Sequence, residues 1–311
     1  MRALRGGEVA AALLLDVLFG EPPEALHPTV WVGSAISAFE GVALESKNPG
    51  ARYLSGIVLA LFLPALVYIA LRRLVDLTPR RPRWILEVAL ISTAISMRGL
   101  GEAAAAVERG LRAGDLEQAR ASAAKMVGRD TASLSAPEVA RAAVESVAEN
   151  TSDGVVAPML YGLLFGGPGA LAYRAVNTLD SMVGYRMHPY AELGWASARL
   201  DDLANLAPAR LTALLVAGVS GCPLHTLGIA RRYGPLTRSP NAGWAEAAFA
   251  GALGSRLGGS NSYGGVIREG PPLGEGAPPG PGEIRHSVRL MRRCCALFAA
   301  AVVLVGRGLR G

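Results

Sequence analysis

From Tyr53 to Leu71 the chain carries no charge for 19 residues. As a helix rising about 1.5 Å per residue, such a run reaches roughly 29 Å, the thickness of the hydrocarbon core of a bilayer. Arg72, Arg73, Arg80, Arg81 and Arg83 follow at once, the cation excess that marks a cytoplasmic loop. Pro64 falls inside the run, where a membrane helix tolerates a kink. Composition agrees: 51% of the 311 residues are hydrophobic, 18% are charged, and the mean hydropathy is +0.31. A soluble domain carries about a quarter charged residues, so the deficit points to lipid.

The other apolar stretches are shorter or broken. Trp84 to Met97 spans 14 residues and holds Glu87. Gly154 to Val176 is divided by Pro158 and by Gly166-Gly167-Pro168-Gly169; Leu211 to Val219 is brief; Cys294 to Gly306 follows Arg285, Arg289, Arg292 and Arg293. Short segments interrupted by Gly and Pro predict re-entrant or discontinuous helices that line a cavity. The expected fold is all-α: a polytopic integral membrane helical bundle with short, broken or re-entrant helices and a cytoplasmic helical insertion. One integral membrane catalytic domain is expected over 1–311, with the insertion at 98–150 and a Pro/Gly-rich loop at 267–285 read as unable to pack. A full crossing by Trp84 to Met97 would put Glu102 to Asn150 outside the cell, so that stretch is expected to re-enter or lie along the membrane. Gly110 and Gly114 mark a turn in the alanine-rich pattern 102–125, and Ser135 with Glu138 signals a helix from Pro137 to about Asn150. Met1 to Gly20 has Arg2, Arg5 and an apolar run like a signal peptide. Asp16 interrupts that run and no small-residue cleavage site follows, so a retained segment is expected.

Net charge is +6, and all but two of the 31 basic side chains are arginines, Lys47 and Lys125 being the exceptions. Arginine suits bidentate phosphate and carboxylate contacts, although a GC-rich genome gives the same bias. No basic run is interleaved with aromatics, which argues against a nucleic-acid partner. Cys222, Cys294 and Cys295 form neither a disulfide framework nor a metal spacing. The glycine-rich nucleotide loops and the nucleophile-elbow motif are absent from the sequence.

Three constellations carry chemistry. In ESVAENTSDG from Glu145, Glu145 and Glu149 share a helix face, with Asn150 and Asp153 on the turn expected to end that helix. Arg141, four residues earlier, is placed to pair with Glu145. The plain alternative is a solvated helix end; the functional one is oxygen ligands for Mg²⁺, which takes carboxylates and keeps sites for phosphate and water. In YRAVNTLDSMVGY from Tyr173, a helix places Arg174, Asn177 and Asp180 or Ser181 on one polar stripe, which in an apolar setting must face a cavity or a partner. In RLDDLAN from Arg199, Asp201 or Asp202 shares a face with Asn205, a spacing compatible with Mg²⁺ and phosphate but weak alone. Lys125 and GRDT from Gly128 set two cations and a hydroxyl before a helix start, which suits phosphate. SPNAG from Ser239 is turn chemistry, LGGSNSY from Leu257 allows close backbone approach to a ligand but otherwise reads as a plain loop, and His27 in its turn is more often structural than catalytic.

Taken in order, GEPPEALHPTVWVG from Gly20, VGRDT from Val127, ESVAENTSDGVVAP from Glu145, YRAVNTLDSMVGY from Tyr173, DDLANLAPARLTA from Asp201, SPNAGW from Ser239 and LGGSNSYGG from Leu257 resemble the adenosylcobinamide-phosphate synthase family, the CobD/CbiB membrane proteins of cobalamin biosynthesis. Glu21 stands where Asp is expected and Arg174 where Lys is common; both changes keep the charge. The resemblance implies ATP-dependent joining of (R)-1-aminopropan-2-ol phosphate to the f side-chain carboxylate of adenosylcobyric acid, at a site facing the cytoplasm from a multi-pass cell-membrane protein. For such a reaction, residue type alone makes Glu145, Glu149, Asp153, Asp201 and Asp202 the expected Mg²⁺ ligands, and Lys125, Arg129 and Arg174 the expected phosphate partners. Asn150, Asn177 and Asn241 would orient substrate, and Asp130 or Asp180 would take a proton, with Glu145 and Glu149 also serving catalysis. The expected partners are the corrinoid, the amino-alcohol phosphate and the bilayer; a homo-oligomer or association with other cobalamin-pathway enzymes is compatible with this. Two other readings are a Mg²⁺-dependent membrane prenyl- or phosphatidyl-type transferase and a corrinoid transporter or binding protein. The DDLAN and NTLDS spacings fit the first poorly, and the lack of an internal repeat fits the second poorly.

Overall fold

The structure is a computed structural model describing residues 5–185 and 189–308. In chain order its helices are α1 (Gly6–Phe19), α2 (Pro28–Glu45), α3 (Pro49–Leu77), α4 (Arg80–Ser92), α5 (Met97–Arg112), α6 (Leu116–Ala124), α7 (Ala136–Asn150), α8 (Ala157–Phe165) and α9 (Gly167–Val183). They continue with α10 (Tyr190–Leu193), α11 (Trp195–Ala204), α12 (Leu206–Val219), α13 (Pro223–Tyr233), α14 (Ala242–Leu253) and α15 (Pro281–Gly308). Four short strands, β1 (Leu257–Gly258), β2 (Asn261–Tyr263), β3 (Val266–Arg268) and β4 (Pro272–Leu273), lie between α14 and α15. Arg2 of the signal-like N-terminal pattern lies outside the described residues. The all-α expectation holds, and the chain divides into two compact units.

The first unit comprises the described residues of Met1–Ser96, Ala157–Asn205 and Ala299–Gly311. Its α3 begins where Asn48 accepts a hydrogen bond from Gly50 N (2.9 Å) with Pro49 at the first helical position, and it runs on through Pro64. It packs on α9, α10 and α11, while α2 covers α9; Ile36, Leu59, Leu179 and Val183 form a core cluster there. Gly56 allows the end of α10 to lie against α3, since a Cβ there would sit 2.0 Å from the Leu193 carbonyl oxygen. On the other side of α3, Leu54, Val58, Leu61, Phe62, Leu66 and Ile69 are exposed. A stripe of that size facing water would drive aggregation, so its solvent is lipid. Glu87 is buried because Gly167 N, at the start of α9, donates to its Oε2 (2.5 Å) and Arg5 lies 3.8 Å away. The carboxylate thus meets the positive end of the α9 dipole.

By length and composition, Pro49–Leu77 and Arg80–Arg112 can each cross a membrane; α11 with α12 makes a third span if the break at Asn205 is counted inside one. The stretch Trp84 to Met97, read as too short to cross, therefore belongs to a 33-residue candidate with a turn at 93–96.

The second unit comprises Met97–Val156 and Leu206–Phe298, and so contains the 98–150 segment. There α5 and α6 form a hairpin that turns at Gly114, with Asp115 accepting from Gln118 N (2.9 Å). At the start of α7 the capping box forms as expected: Ser135 N and Oγ donate to Glu138. From Val139 to Ala148 every residue of α7 is buried, including Arg141 and Glu145. The helix does not end on a turn after Asn150: a π-helical segment, Thr151–Val156, carries Asp153. The Pro/Gly-rich 267–285 segment packs in part, against the expectation from its composition. Leu273 pairs with Leu257 and is 1% exposed, because β4 seats its apolar side chain in the core, and Gly274, Pro279 and Ile284 are buried as well.

Candidate active site

Within the second unit, the buried charges of α7 are bound across a long sequence separation. Glu145 Oε1 accepts from Arg141 Nη1 (3.1 Å) and from Gly258 N (2.7 Å), and its Oε2 accepts from Arg129. Asn261 Oδ1 accepts from Arg141 Nη2 (2.9 Å) and from Arg129. Arg141 also donates to the carbonyls of Gly258 (2.5 Å) and Ser260 (3.1 Å). Gly258 can present both its N–H and its carbonyl because it sits at φ +71°, where a Cβ would meet the Pro271 oxygen at 2.3 Å. Burying one carboxylate between two guanidinium groups satisfies charges that would otherwise be costly to desolvate.

The segment carrying Asn261 is held from below by Asp130. Its carboxylate accepts from Ser262 Oγ (2.6 Å), Gly265 N (2.8 Å) and Gly264 N (3.0 Å), and its own N–H donates to the Ser262 carbonyl (2.8 Å). The Ser262 hydroxyl first, then the two glycine amides, hold the Asp130 carboxyl below the usual range. Such an acid is a poor proton acceptor and a good anchor for the β2–β3 hairpin.

A cleft of about 560 Å³ opens on this network, within the range of small-ligand pockets, about 300–1,000 Å³. Arg129, Glu145 and Glu149 reach it from one side, Glu246 of α14 from another, and Arg238 and Arg268 from its rim. Burial pushes the Glu246 carboxyl well above its ordinary value, and the neighbouring negative charges of Glu145 and Glu149 push it further while Arg129 opposes them. The Arg268 guanidinium lies 5.1 Å over the Tyr263 ring.

Of the residues singled out from the sequence, Arg129, Glu145 and Glu149 share the cleft. Lys125, Asp130, Asn150, Asp153 and Asn241 lie in the same unit but do not line it. Lys125 is exposed after α6, Asn150 donates back to the Ser146 carbonyl (3.0 Å), and Asn241 accepts from Arg210 (2.5 Å). Arg174, Asn177, Asp180, Asp201 and Asp202 lie in the first unit. There Arg174 donates to Asn177 (3.4 Å), Asn177 donates to Asp201 (3.5 Å), and Asp202 pairs with Arg199 (3.1 Å). Tyr173 stacks on Tyr161 at 4.9 Å and donates to Asn205 (2.8 Å). His27 caps α2 through Nδ1, accepting from Thr29 N (3.3 Å); burial first, and then Arg174, lower its pKa against the opposing pull of Glu21.

Among the described residues, no three His, Cys, Asp or Glu side chains converge as a metal cage. The donor sets that exist are carboxylate pairs: Glu149 with Glu246 on the cleft, and Asp180 with Asp201 on the packed helices α9 and α11. Two hard oxygen donors suit Mg²⁺ in its common mode, where substrate phosphate and water complete the shell.

Glu246, Asn261, Arg238 and Arg268 also line the cleft and are not among the residues expected from the sequence. Glu246 had a signal, as the only charge in the apolar string AGWAEAAFAGAL. Asn261 lay inside a motif read as a plain loop, and nothing local names Arg129 and Arg141 as its partners.

The fold and the cleft define a class: a helical membrane protein that keeps an arginine–carboxylate pocket inside a compact helical unit. A family model described as CobD/Cbib protein matches residues 9–291, and the chain belongs to that family. Curated relatives named cobalamin biosynthesis protein CobD include one from Geobacter metallireducens, 44% identical, and one from Rhodobacter capsulatus, 41% identical, each alignment covering 96% of both chains. Another, from Synechocystis, is 42% identical over 87% of this chain and 82% of the relative. No solved structure matches.

Proposed function

We propose that this protein catalyses the ATP-dependent amide ligation of cobalamin biosynthesis, joining (R)-1-aminopropan-2-ol phosphate to the f side-chain carboxylate of adenosylcobyric acid to give adenosylcobinamide phosphate. The observation that carries the reading is the cleft on which Arg129 and Glu145 open beside Glu149 and Glu246. Membership of a cobalamin-biosynthesis family supports the substrates.

A carboxylate is a poor acyl donor because its leaving group would be oxide. In the proposed reaction the f carboxylate oxygen attacks the γ-phosphorus of ATP and ADP departs. The amine nitrogen then attacks the acyl carbon, inorganic phosphate leaves, and one amine proton passes to the protein. Arg129, assisted by Arg238 and Arg268 at the rim, neutralises phosphate oxygens brought into the cleft. Glu145 and Asn261 hold Arg129 for that task. Glu246, with its affinity for protons raised by burial and by two neighbouring carboxylates, takes the amine proton. Mg²⁺, held at the cleft by Glu149, would screen the phosphates and polarise them. The same reading has the chain crossing the cell membrane more than once, with the arginines after α3 on the cytoplasmic side.

The test is purified protein in detergent with adenosylcobyric acid, the amino-alcohol phosphate, Mg²⁺ and ATP, read by product mass. The reading expects the amide mass together with equal ADP and phosphate. Product formed without ATP, or corrinoid uptake by proteoliposomes with no new mass, would replace it with a transferase or a transporter.

A further inference from the structure

Between Arg72 and Trp84 the chain carries five arginines and one acid, Asp76, immediately after the apolar run of α3. A cavity of about 290 Å³ opens there, close to the lower bound of ligand pockets, about 300 Å³. It is lined by Arg5, Arg72, Arg80, Arg83 and Trp84, with the acids Glu8, Asp76 and Glu87. Two of those acids are engaged by the protein itself: Arg72 pairs with Asp76 (2.9 Å), and Glu87 is held by Gly167 N (2.5 Å) and Arg5 (3.8 Å). Arg83 spends donors on the last carbonyls of α3, reaching Asp76 O (2.9 Å) and Thr78 O (3.0 Å). Arg80 lines the cavity, and among the described residues its side chain has no hydrogen-bond or ion-pair partner. The flank is apolar and open, with Leu77 84%, Ile85 65% and Trp84 49% exposed.

We infer that this cavity binds the phosphate headgroup of an anionic phospholipid. Four arginines line the cavity against three acids, Glu8, Asp76 and Glu87, and Arg80 has no protein partner among the described residues, so the pocket keeps a positive charge that suits an anion. The anion is a lipid phosphate because the pocket lies at the end of a membrane-length apolar run, and the exposed Leu77, Ile85 and Trp84 offer acyl chains a surface beside it. The inference concerns the first unit alone and stands whether or not the proposed ligation is correct.

Native mass spectrometry of the full-length protein in detergent tests it, with phosphatidylglycerol or phosphatidylcholine added in turn. Wild type should retain phosphatidylglycerol well above phosphatidylcholine, with no displacement by millimolar inorganic phosphate. Arg80→Gln should lower phosphatidylglycerol retention about fivefold. Arg73→Gln, an exposed arginine outside the cavity, should leave it unchanged. Equal retention of the two lipids by wild type overturns the inference even if a variant proves unstable. An equal loss in both variants overturns it in favour of diffuse surface charge, and displacement by inorganic phosphate overturns it in favour of a soluble anion.

Discussion

Arg141 and Asn261 are 120 residues apart in sequence, yet Arg141 Nη2 donates to Asn261 Oδ1 at 2.9 Å. That bond ties the most buried helix of the second unit to the strand that walls its cleft. Removing Arg141 while Glu145 stays leaves a buried carboxylate with one guanidinium instead of two. Arg141→Met should therefore cost about 3–5 kcal/mol of stability, the usual penalty for breaking a buried pair. Asn261→Ala should cost less, about 1–3 kcal/mol, because the arginines keep Glu145. Thermal unfolding in detergent measures both, and equal stability of wild type and Arg141→Met would mean the network carries no load.

Asp130 predicts a pH response of the hairpin. Its pKa lies below the ordinary carboxylate value in the folded state, so its contribution is complete above that ordinary value and is lost as pH falls through the folded one. Hydrogen exchange at the Gly264 and Gly265 amides, which donate to Asp130, should speed up across that window after correction for intrinsic rates. Asp130→Ala should show the fast exchange at every pH.

Glu246 predicts the opposite sign. Its pKa is raised on folding, so the folded state keeps the proton to higher pH than the unfolded state does, and stability falls as pH rises between the two values. Glu246→Gln cannot ionise and should not show that decline. The stability of the variant relative to wild type should grow from the ordinary carboxylate range upward. Parallel pH profiles would remove the charge cluster from the account.

Chelation addresses the divalent cation. EDTA should stop turnover, and added Mg²⁺ should restore it. Glu149→Gln should insert and fold like wild type, since Glu149 is exposed, but should lose amide formation. Undiminished turnover in that variant would take Glu149 out of the machinery.

Much of the fold could be read locally. The uncharged run at 53–71, the Ser135–Glu138 capping box and the break at Gly166 each act within a few residues, and each lies where the sequence puts it; at Pro158 the chain stays helical, passing from the π-helical segment into α8. The site was legible only in part because its bonds are not local. Arg141–Glu145 is an i,i+4 pair and could be foreseen; the partnership of both arginines with Asn261 depends on how α7 meets the strands after α14. The same holds for Leu273, whose burial depends on pairing with Leu257 rather than on the glycines and prolines around it. Charge spacing also says nothing about which compact unit an acid belongs to, and the predicted acids divide between two: Glu145, Glu149 and Asp153 in one, Asp180, Asp201 and Asp202 in the other.

The most direct test of the cleft as the place of reaction is the rate of amide formation by Glu246→Gln beside wild type, at saturating ATP and both substrates. Loss of a proton acceptor should lower kcat about 10²- to 10⁴-fold while the fold persists. A Glu246→Gln enzyme that turns over like wild type would contradict the account and move the chemistry elsewhere in the protein.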